Sequence, residues 1–410
     1  MTICKEKLLP YLFFVLACSI MCPLSLNSQI SSSGYVSVVE TGYEIEFADT
    51  TIHENIFIFC GGKGNLSADM PEAEGDLTFE WSEYNDELPG YEPPFHTFLG
   101  ETSNISDLES GGYQVKITDG NALDTIFRAW IFVNRVSVSV EVARHDCSVL
   151  DLTGNIETDP FYYYNPLNNA GYILPQEYGY SWSADPSIPV PDALNPRIWD
   201  PPPVTTRYTL SANSYGCERE YTLTEDPLTT RAGFTLDPAE GEAPLEVRFD
   251  AGISLNAKEY EWYFDYQPGD EETGAYDANI SDPEHTYHIP GEYYVALRTV
   301  AGLCDDVFRY PEPVTVYFSE LEVPNVFSPG IDGYNDLFMV RAVSMREYHV
   351  VIYNRNGKKV FETEDPEEGW DGRISGGFAS PGVYFYIITG MGWDEREYEF
   401  RGPLHLYRRR

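Results

Sequence analysis

Residues 351–361, Val-Ile-Tyr-Asn-Arg-Asn-Gly-Lys-Lys-Val-Phe, decide the fold class most clearly. Two runs of β-branched and aromatic residues, 350–353 and 359–361, flank the pair Asn356-Gly357. Asn-Gly between such runs is the strongest short-range signal for an antiparallel hairpin, because both residues adopt the positive φ values that tight hairpin turns require. We therefore predict a hairpin here. Residues 382–388 predict a further buried strand, so this part of the chain should be a compact β-sandwich.

Short strand patterns of the same kind continue along the chain. Alternating β-branched and aromatic residues are separated by Gly, Pro, Asn and Asp, and no long stretch has a helical period. The length of 410 residues corresponds to about three or four domains. We predict an all-β protein of tandem immunoglobulin-like (Ig-like) β-sandwich modules. In the first module, 29–134, the strand candidates are 42–47, 56–59, 77–81, 112–118 and 125–133.

The charge is strongly acidic and unevenly distributed. The chain has 26 Lys and Arg residues and 66 Asp and Glu residues, a net charge of −40. Such a field repels phosphate backbones, so nucleic acid is excluded as a partner. Residues 319–410 hold 11 basic and 15 acidic residues, whereas 29–318 hold 13 and 50. We expect the acidic modules to gain solubility from this charge. Calcium held by clustered carboxylates is the alternative, but no loop has the spacing of a known calcium motif, so no metal site is predicted.

The N-terminus predicts export. Lys5 and Lys7 precede an apolar stretch at 8–22, and small and polar residues follow up to Gln29. This order is typical of a secretory signal peptide, which we place at 1–28. The apolar stretch has about 15 residues and a bilayer helix needs about 20, so we expect no transmembrane span in the mature chain.

Four cysteines remain after such a cleavage. An even number in an oxidising compartment favours a disulfide, and we predict a possible bond between Cys147 and Cys217, which lie in strand-like contexts of one segment. Cys60 and Cys304 lie in different segments and are interpreted as buried free thiols. Because the chain has no C-x-x-C pair, neither zinc nor thioredoxin chemistry is predicted.

Segment 229–318 carries four ordered motifs: 234–239, 241–251, 260–265, and 285–287 together with 290–295. Together they resemble the PKD domain, which implies a seven-stranded Ig-like sandwich that serves as a spacer or adhesion module. The usual W-D-F-G-D-G of that family is replaced by Trp-Tyr-Phe-Asp-Tyr at 262–266, so any role of that turn does not transfer. Alternation along the strand also places Trp262 and Phe264 in the core without the resemblance. The PKD-like core residues are Trp262, Phe264, His285, Tyr287, Gly291 and Tyr293.

Segment 319–410 has five ordered blocks, at 323–338, 351–361, 369–372, 381–387 and 400–408. They resemble the gliding-motility-associated C-terminal domain, the type B sorting signal of the type IX secretion system in Bacteroidota. The resemblance implies a domain that the secretion machinery recognises and that performs no reaction. The motif residues are Pro324, Asn325, Phe327, Pro329, Asp332, Gly333, Asn335, Asp336, Tyr353, Asn354, Arg355, Gly357, Trp370, Asp371, Gly372, Gly382, Tyr384 and Gly402.

Segment 135–228 contains an insertion rich in Tyr and Pro. Tyr162 to Tyr164, Trp199 and the prolines of 186–203 could bind glycans or peptides, since exposed aromatic rings favour both. The alternative is that these rings pack under a long loop.

No H-E-x-x-H, G-x-S-x-G or phosphate-binding glycine loop occurs, so we predict no enzyme and no cofactor. The function expected from the sequence is a secreted, surface-displayed noncatalytic protein in adhesion or envelope structure. Its expected partners are the type IX secretion machinery and a glycan or envelope protein. A carbohydrate-binding accessory protein is the alternative.

Overall fold

The computed structural model describes residues 30–47, 50–71, 76–120, 123–267, 276–330 and 333–408. The predicted signal peptide and Asp332 lie outside these ranges. All regular secondary structure in the described residues is β-strand, which confirms the all-β class. None of these residues belongs to a helix with the length and apolar character that a membrane crossing needs.

Contacts divide the chain into two compact units. Unit 1 comprises Met1–Val140, Gly154–Trp182 and Thr209–Thr222, and unit 2 comprises Glu141–Thr153, Ser183–Tyr208 and Leu223–Arg410. Segment 135–228, predicted as one module, therefore contributes residues to both units. The boundaries drawn from the sequence at 134/135, 228/229 and 318/319 remain predictions.

The first ten strands form a two-layer sandwich in unit 1. Their bounds are β1 Ile30–Ser31, β2 Ser37–Phe47, β3 Thr50–Cys60, β4 Gly64–Asp69, β5 Leu77–Asn85, β6 Gly90–Tyr91, β7 His96–Gly100, β8 Thr102–Leu108, β9 Gly111–Thr118 and β10 Asp124–Asn134. One sheet has the order β1-β4-β8; the other has the order β2-β3-β10-β9-β5-β6, with β7 on β5. Trp81 is fully buried between the layers and donates from Nε1 to Ser103 Oγ at 3.0 Å. Strands β3 and β10 pair in parallel and are buried on both faces.

Eight strands follow in segment 135–228. Their bounds are β11 Val136–His145, β12 Val149–Thr158, β13 Phe161–Tyr164, β14 Gly171–Leu174, β15 Gly179–Asp185, β16 Arg197–Trp199, β17 Thr206–Ser214 and β18 Cys217–Glu225. They pair as β11-β12-β16, β13-β14 and β15-β17-β18. The β13-β14 hairpin belongs to unit 1 and contributes Phe161, Tyr163 and Leu174 to a second core on the other face of the large sheet.

The PKD-like segment forms three short sheets within unit 2. Its strands are β19 Thr235–Asp237, β20 Glu240–Glu242, β21 Leu245–Asp250, β22 Glu259–Tyr263, β23 Glu284–Tyr287, β24 Gly291–Tyr293, β25 Ala296–Ala301, β26 Cys304–Arg309 and β27 Val314–Tyr317. They pair as β19-β21-β23, β20-β27-β24 and β22-β25-β26 around one core. Trp262 and Phe264 are buried in it, as strand alternation predicts, and Asp265 is exposed.

The last strands of unit 2 surround a third core. They are β28 Glu320–Glu322, β29 Val326–Phe327, β30 Arg341–Val343, β31 Met345–Tyr353, β32 Lys359–Thr363, β33 Arg373–Ile374, β34 Gly377–Phe378, β35 Gly382–Gly392 and β36 Glu397–Leu406. The main sheet has the order β29-β36-β35-β31-β32. Strands β31 and β32 pair antiparallel across Asn356-Gly357, so the predicted hairpin is confirmed.

The predicted disulfide is wrong. Cys147 is bonded to Cys304 within unit 2, and Cys217 is bonded to Cys60 within unit 1, with Cα–Cα distances of 5.4 Å and 5.2 Å. Cys60 and Cys304 are therefore not free thiols. Each bond joins residues 157 positions apart. Spacing along the chain favoured the nearer pair, but disulfide geometry depends on distance in space, which the packing of strands from different segments decides.

Candidate functional site

The motif residues of the C-terminal segment meet mainly in its core. The Trp370 ring lies 5.3 Å from that of Phe327 and 5.0 Å from that of Tyr384, and all three side chains are at most 6% exposed. Trp370 Nε1 donates to the Arg373 carbonyl at 3.0 Å, and the Tyr384 hydroxyl donates to the Ser380 carbonyl at 2.9 Å. The polar ends of these buried rings are thus satisfied, so this part of the motif specifies a packed core.

Two motif glycines allow close approaches in the same region. Gly372 has φ +70°, and a Cβ atom there would lie 2.6 Å from Cγ of Pro329. A Cβ at Gly402 would lie 2.6 Å from the Tyr386 hydroxyl oxygen. Gly372 requires glycine both for its backbone conformation and because the Pro329 ring lies too close for a Cβ atom. At Gly402 a Cβ atom would require the end of the Tyr386 side chain to move.

The two ends of the segment are joined by a parallel strand pair. Strand β29 pairs with β36, with Phe327 opposite Leu406. The backbone N–H of His405 donates to the Asn325 carbonyl at 2.9 Å, and that of Tyr407 donates to the Phe327 carbonyl at 3.0 Å. The opening and closing motif blocks therefore form one structural unit.

The hairpin turn is longer than its Asn-Gly pair suggests. Tyr353 pairs with Lys359 after a register shift, so five residues form the loop. The Asn354 side chain accepts the backbone N–H groups of Asn356 at 2.9 Å and Lys358 at 3.1 Å, and Gly357 has φ +72°. Asn354 organises the turn, and the exposed Arg355 lies at its tip.

The remaining motif residues shape turns. Gly333 and Asn335 have positive φ, and the Gly333 N–H donates to Asp336 Oδ2 at 2.8 Å. Asp371 accepts the backbone N–H of Arg373 at 2.9 Å, and Gly382 also has positive φ. Pro324 precedes β29 and is partly buried.

The PKD-like residues form one continuous aromatic row. The Phe264 and His285 rings stack at 4.5 Å, His285 contacts Tyr287 at 4.5 Å, and Tyr287 contacts Tyr293 at 4.4 Å. The Tyr287 hydroxyl donates to the Phe264 carbonyl at 2.9 Å. Burial lowers the pKa of the His285 imidazole, which favours a neutral ring in this row. Gly291 is the first residue of β24, next to this row. A Cβ atom added at Gly291 would lie 3.7 Å from Cε2 of Tyr293, an ordinary contact distance.

The three tyrosines of β13 divide between core and surface. Tyr163 is 4% exposed, and its hydroxyl accepts the backbone N–H of Gly42 at 2.9 Å. Tyr164 stacks on Tyr84 at 5.4 Å, whereas Tyr162 is 53% exposed. Tyr163 is therefore a packed core residue, whereas the ring of Tyr162 is accessible to a ligand. Trp199 is exposed and belongs to unit 2, whereas these tyrosines belong to unit 1.

An open groove of about 570 Å³ lies beside these rings, entirely within unit 1. We call it the aromatic groove. Its aromatic lining comes from β5, β10 and β13 and consists of Tyr84, Trp130, Phe132, Phe161, Tyr162 and Tyr164. Its polar lining consists of Glu83, Asp86, Ser110, Arg135 and Asp159. Burial raises the pKa of the Tyr84 phenol, so this hydroxyl is neutral at physiological pH.

The structure also contains a buried polar network around Glu54 that the sequence patterns did not predict. Glu54 is 3% exposed; its Oε2 accepts from the Tyr43 hydroxyl at 2.5 Å, and its Oε1 lies 3.6 Å from Arg128 Nη1. Burial raises the pKa of Glu54, and the bond from Tyr43 and the charge of Arg128 oppose the rise. Alternation could have revealed the site, because Glu54 shares its strand face with Ile56 and Ile58.

The structure thus defines an all-β protein whose C-terminal strands, β28 to β36, enclose a packed core and are joined at their two ends by the pairing of β29 with β36. Residues 321–406 match the family model of the CHU_C Type IX secretion signal domain. The chain therefore carries a type IX secretion signal at its C-terminal end, as its sequence predicts, and this signal implies secretion and cell-surface attachment. No curated protein matches the chain.

Solved structures with tandem modules are distantly similar. They include a tetra-tandem repeat from the extending region of a large adhesion protein, at 11% identity, covering 84% of this chain and 96% of that one with a TM-score of 0.26. The mouse nectin-like molecule 4 ectodomain is 10% identical and covers 63% and 96% with a TM-score of 0.33. Sidekick-1 immunoglobulin domains 1–5 are 10% identical and cover 91% and 100% with a TM-score of 0.25. Structural similarity with TM-scores this low supports no statement about the function of this chain.

Proposed function

We propose that the protein is displayed on the outer cell surface as a noncatalytic component, in adhesion or envelope structure. The observation that carries the proposal is the type IX secretion signal at 321–406. That domain would serve as the secretion and anchoring signal, with the type IX machinery as its partner. The modules before it would be the cargo that acts outside the cell.

The disulfides support exposure outside the cytoplasm. Both bonds link distant parts of a unit, and such bonds persist in oxidising environments but are rare in the cytosol. The predicted signal peptide at 1–28 would supply the first export step. Each unit would then reach its final covalent state after leaving the cytoplasm.

The charge distribution supports a solvent-exposed cargo. Nearly all of the net charge of −40 belongs to residues before 319. An acidic surface keeps an exported protein soluble and repels similarly charged neighbours. It also disfavours nucleic acid as a ligand, so we propose a glycan or an envelope protein instead.

Fractionation of cells tests the proposal. The full chain should be found at the cell surface, accessible to protease added to intact cells, whereas a chain lacking 321–406 should stay in the periplasm. Restoring 321–406 is the matched control and should restore display. Surface exposure of the truncated chain, or retention of the full chain in the periplasm, would contradict the proposal. Full chain in the medium alone would support secretion but contradict anchoring.

A second candidate function is favoured by the aromatic groove. Clefts lined by aromatic rings with a few polar groups are typical ligand sites. A carbohydrate-binding accessory protein of the cell surface would use such a groove, and this candidate is compatible with the same export route.

A further inference from the structure

We propose that the aromatic groove of unit 1 binds a neutral saccharide. The inference rests on the proposed role of the exported modules in binding an external ligand, and it names the ligand class and the site. The groove measures about 570 Å³, within the range of 300–1,000 Å³ that is usual for small-ligand sites.

Buried aromatic rings hold the Tyr164 ring of the groove in place. Tyr164 stacks on Tyr84 at 5.4 Å, and the Tyr84 ring contacts Trp130 at 5.6 Å. Tyr84 and Trp130 are at most 7% exposed, so their positions are held by the core behind them. The accessible rings are the partly buried Tyr164 and the exposed Tyr162, which can meet the C–H face of a sugar ring, and a ring held in place costs little conformational entropy on binding.

Tyr162 is the accessible ring of the groove. Its neighbours Phe161 and Tyr163 are 5% and 4% exposed, whereas Tyr162 is 53% exposed. Side chains alternate along β13, so Phe161 and Tyr163 face the core and Tyr162 faces away from it. Packing of the core therefore does not explain why residue 162 is aromatic. A ring in this place can contact a ligand that lies against Tyr164.

Two glycines line the groove, and Gly111 is the one that leaves open space in it. A Cβ at Gly112 would lie 2.8 Å from the Trp130 ring, so that ring occupies the space where a side chain would be. A Cβ at Gly111 would lie 3.3 Å from Glu83 Oε1, on the groove lining. Glycine within a strand often marks a close approach of another group, and here it leaves room beside Glu83.

The polar lining matches hydroxyl groups better than anionic groups. Glu83, Asp86 and Asp159 offer acceptors, Arg135 offers donors, and Ser110 can do both. Sugar hydroxyls also donate and accept, so they can use both kinds of group. The three carboxylates repel an acidic saccharide. They outnumber Arg135, so a cationic peptide is the competing ligand that the binding test must exclude. The lining therefore fits a neutral polyol better than an acidic one.

Binding of defined oligosaccharides to the purified full chain, with both disulfides intact, tests the inference. The probes are neutral gluco-, manno-, xylo- and galacto-oligosaccharides, with oligogalacturonate and oligolysine as charged comparisons. Titration calorimetry measures binding. We expect at least one neutral oligosaccharide to bind, oligogalacturonate to bind at least 10-fold more weakly, and oligolysine to bind no more tightly than the neutral ligand.

Three variants locate the site. Tyr162→Ala should weaken binding about 3- to 10-fold, the range of one aromatic contact. Gly111→Val should abolish it, because the new side chain fills the space beside Glu83 without needing a positive φ. The controls are Tyr178→Ala and Gly179→Val, at an exposed tyrosine and an open glycine of unit 1 outside the groove. These should bind like the parent.

Thermal unfolding of every variant separates lost binding from lost folding. The inference is overturned if no neutral oligosaccharide binds, if oligolysine or oligogalacturonate binds more tightly, or if the controls lose as much affinity as the groove variants. Because purified protein is used, these outcomes do not depend on export, which cell fractionation tests separately. Binding without surface display would retain the saccharide site and contradict the proposed location.

Discussion

Removing the disulfide between Cys147 and Cys304 should destabilise unit 2 by about 5 kcal/mol. The bond closes a loop of 157 residues, and the chain-entropy relation gives about 5 kcal/mol for a loop of that length at 25 °C. Replacing both cysteines with alanine removes the cross-link without leaving a free thiol. Cys304 is 5% exposed and its replacement is smaller, so the loss of its packing acts in the same direction.

Guanidinium unfolding followed by tryptophan fluorescence measures the loss, and hydrogen exchange assigns each transition to a unit. The matched control is Cys60→Ala with Cys217→Ala, which removes a bond of the same sequence separation in unit 1. The first pair of changes should shift the transition of unit 2 and the second that of unit 1. The reasoning would be refuted by a shift below about 1 kcal/mol in unit 2, since the relation predicts several times that value. Peptide mapping that found Cys147 bonded to Cys217 would refute the pairing itself.

Two smaller changes test the turns of unit 2. Gly372→Ala should lower the free energy of unfolding by about 2–4 kcal/mol, through left-handed strain and the clash with Pro329, while Gly357→Ala, with a similar φ but open space, should lose about 1–2 kcal/mol. Equal losses in denaturant titrations would show that the close approach does not matter. Asp146 accepts the backbone N–H of Ser148, and this bond leads the interactions that lower the pKa of Asp146 to about 2. A lowered pKa contributes stability above the unfolded value of about 3.9 that is lost as the pH falls through about 2. Asp146→Asn should therefore flatten the dependence of the unfolding temperature on pH between about 4 and 2, and an unchanged slope would contradict this assignment.

Local patterns predicted the elements well because strands and turns depend on neighbouring residues. Alternation placed Trp262 and Phe264 in the core, and Asn-Gly located the hairpin between β31 and β32. The details of that turn were not predictable, since the five-residue loop depends on the side chain of Asn354 and on the register of the strands it joins.

The candidate site was visible only in part. The tyrosines at 162–164 stood out in the sequence, but the pattern could not tell which of them would be exposed. Their partners Glu83, Ser110 and Arg135 come from other segments and carry no local signal that joins them to β13. The groove exists because the β13-β14 hairpin packs on the second face of the large sheet.

The sequence by itself determined the all-β class, turns such as the one between β31 and β32, and the secretion domain at 321–406. Each of these depends on residues that are close along the chain. Only the tertiary structure decided the pairing of Cys60 with Cys217 and of Cys147 with Cys304. It also decided the division of 135–228 between two units and the groove at Tyr162. These features join residues far apart in sequence, and strand patterns specify which faces are apolar without specifying which distant face each will cover.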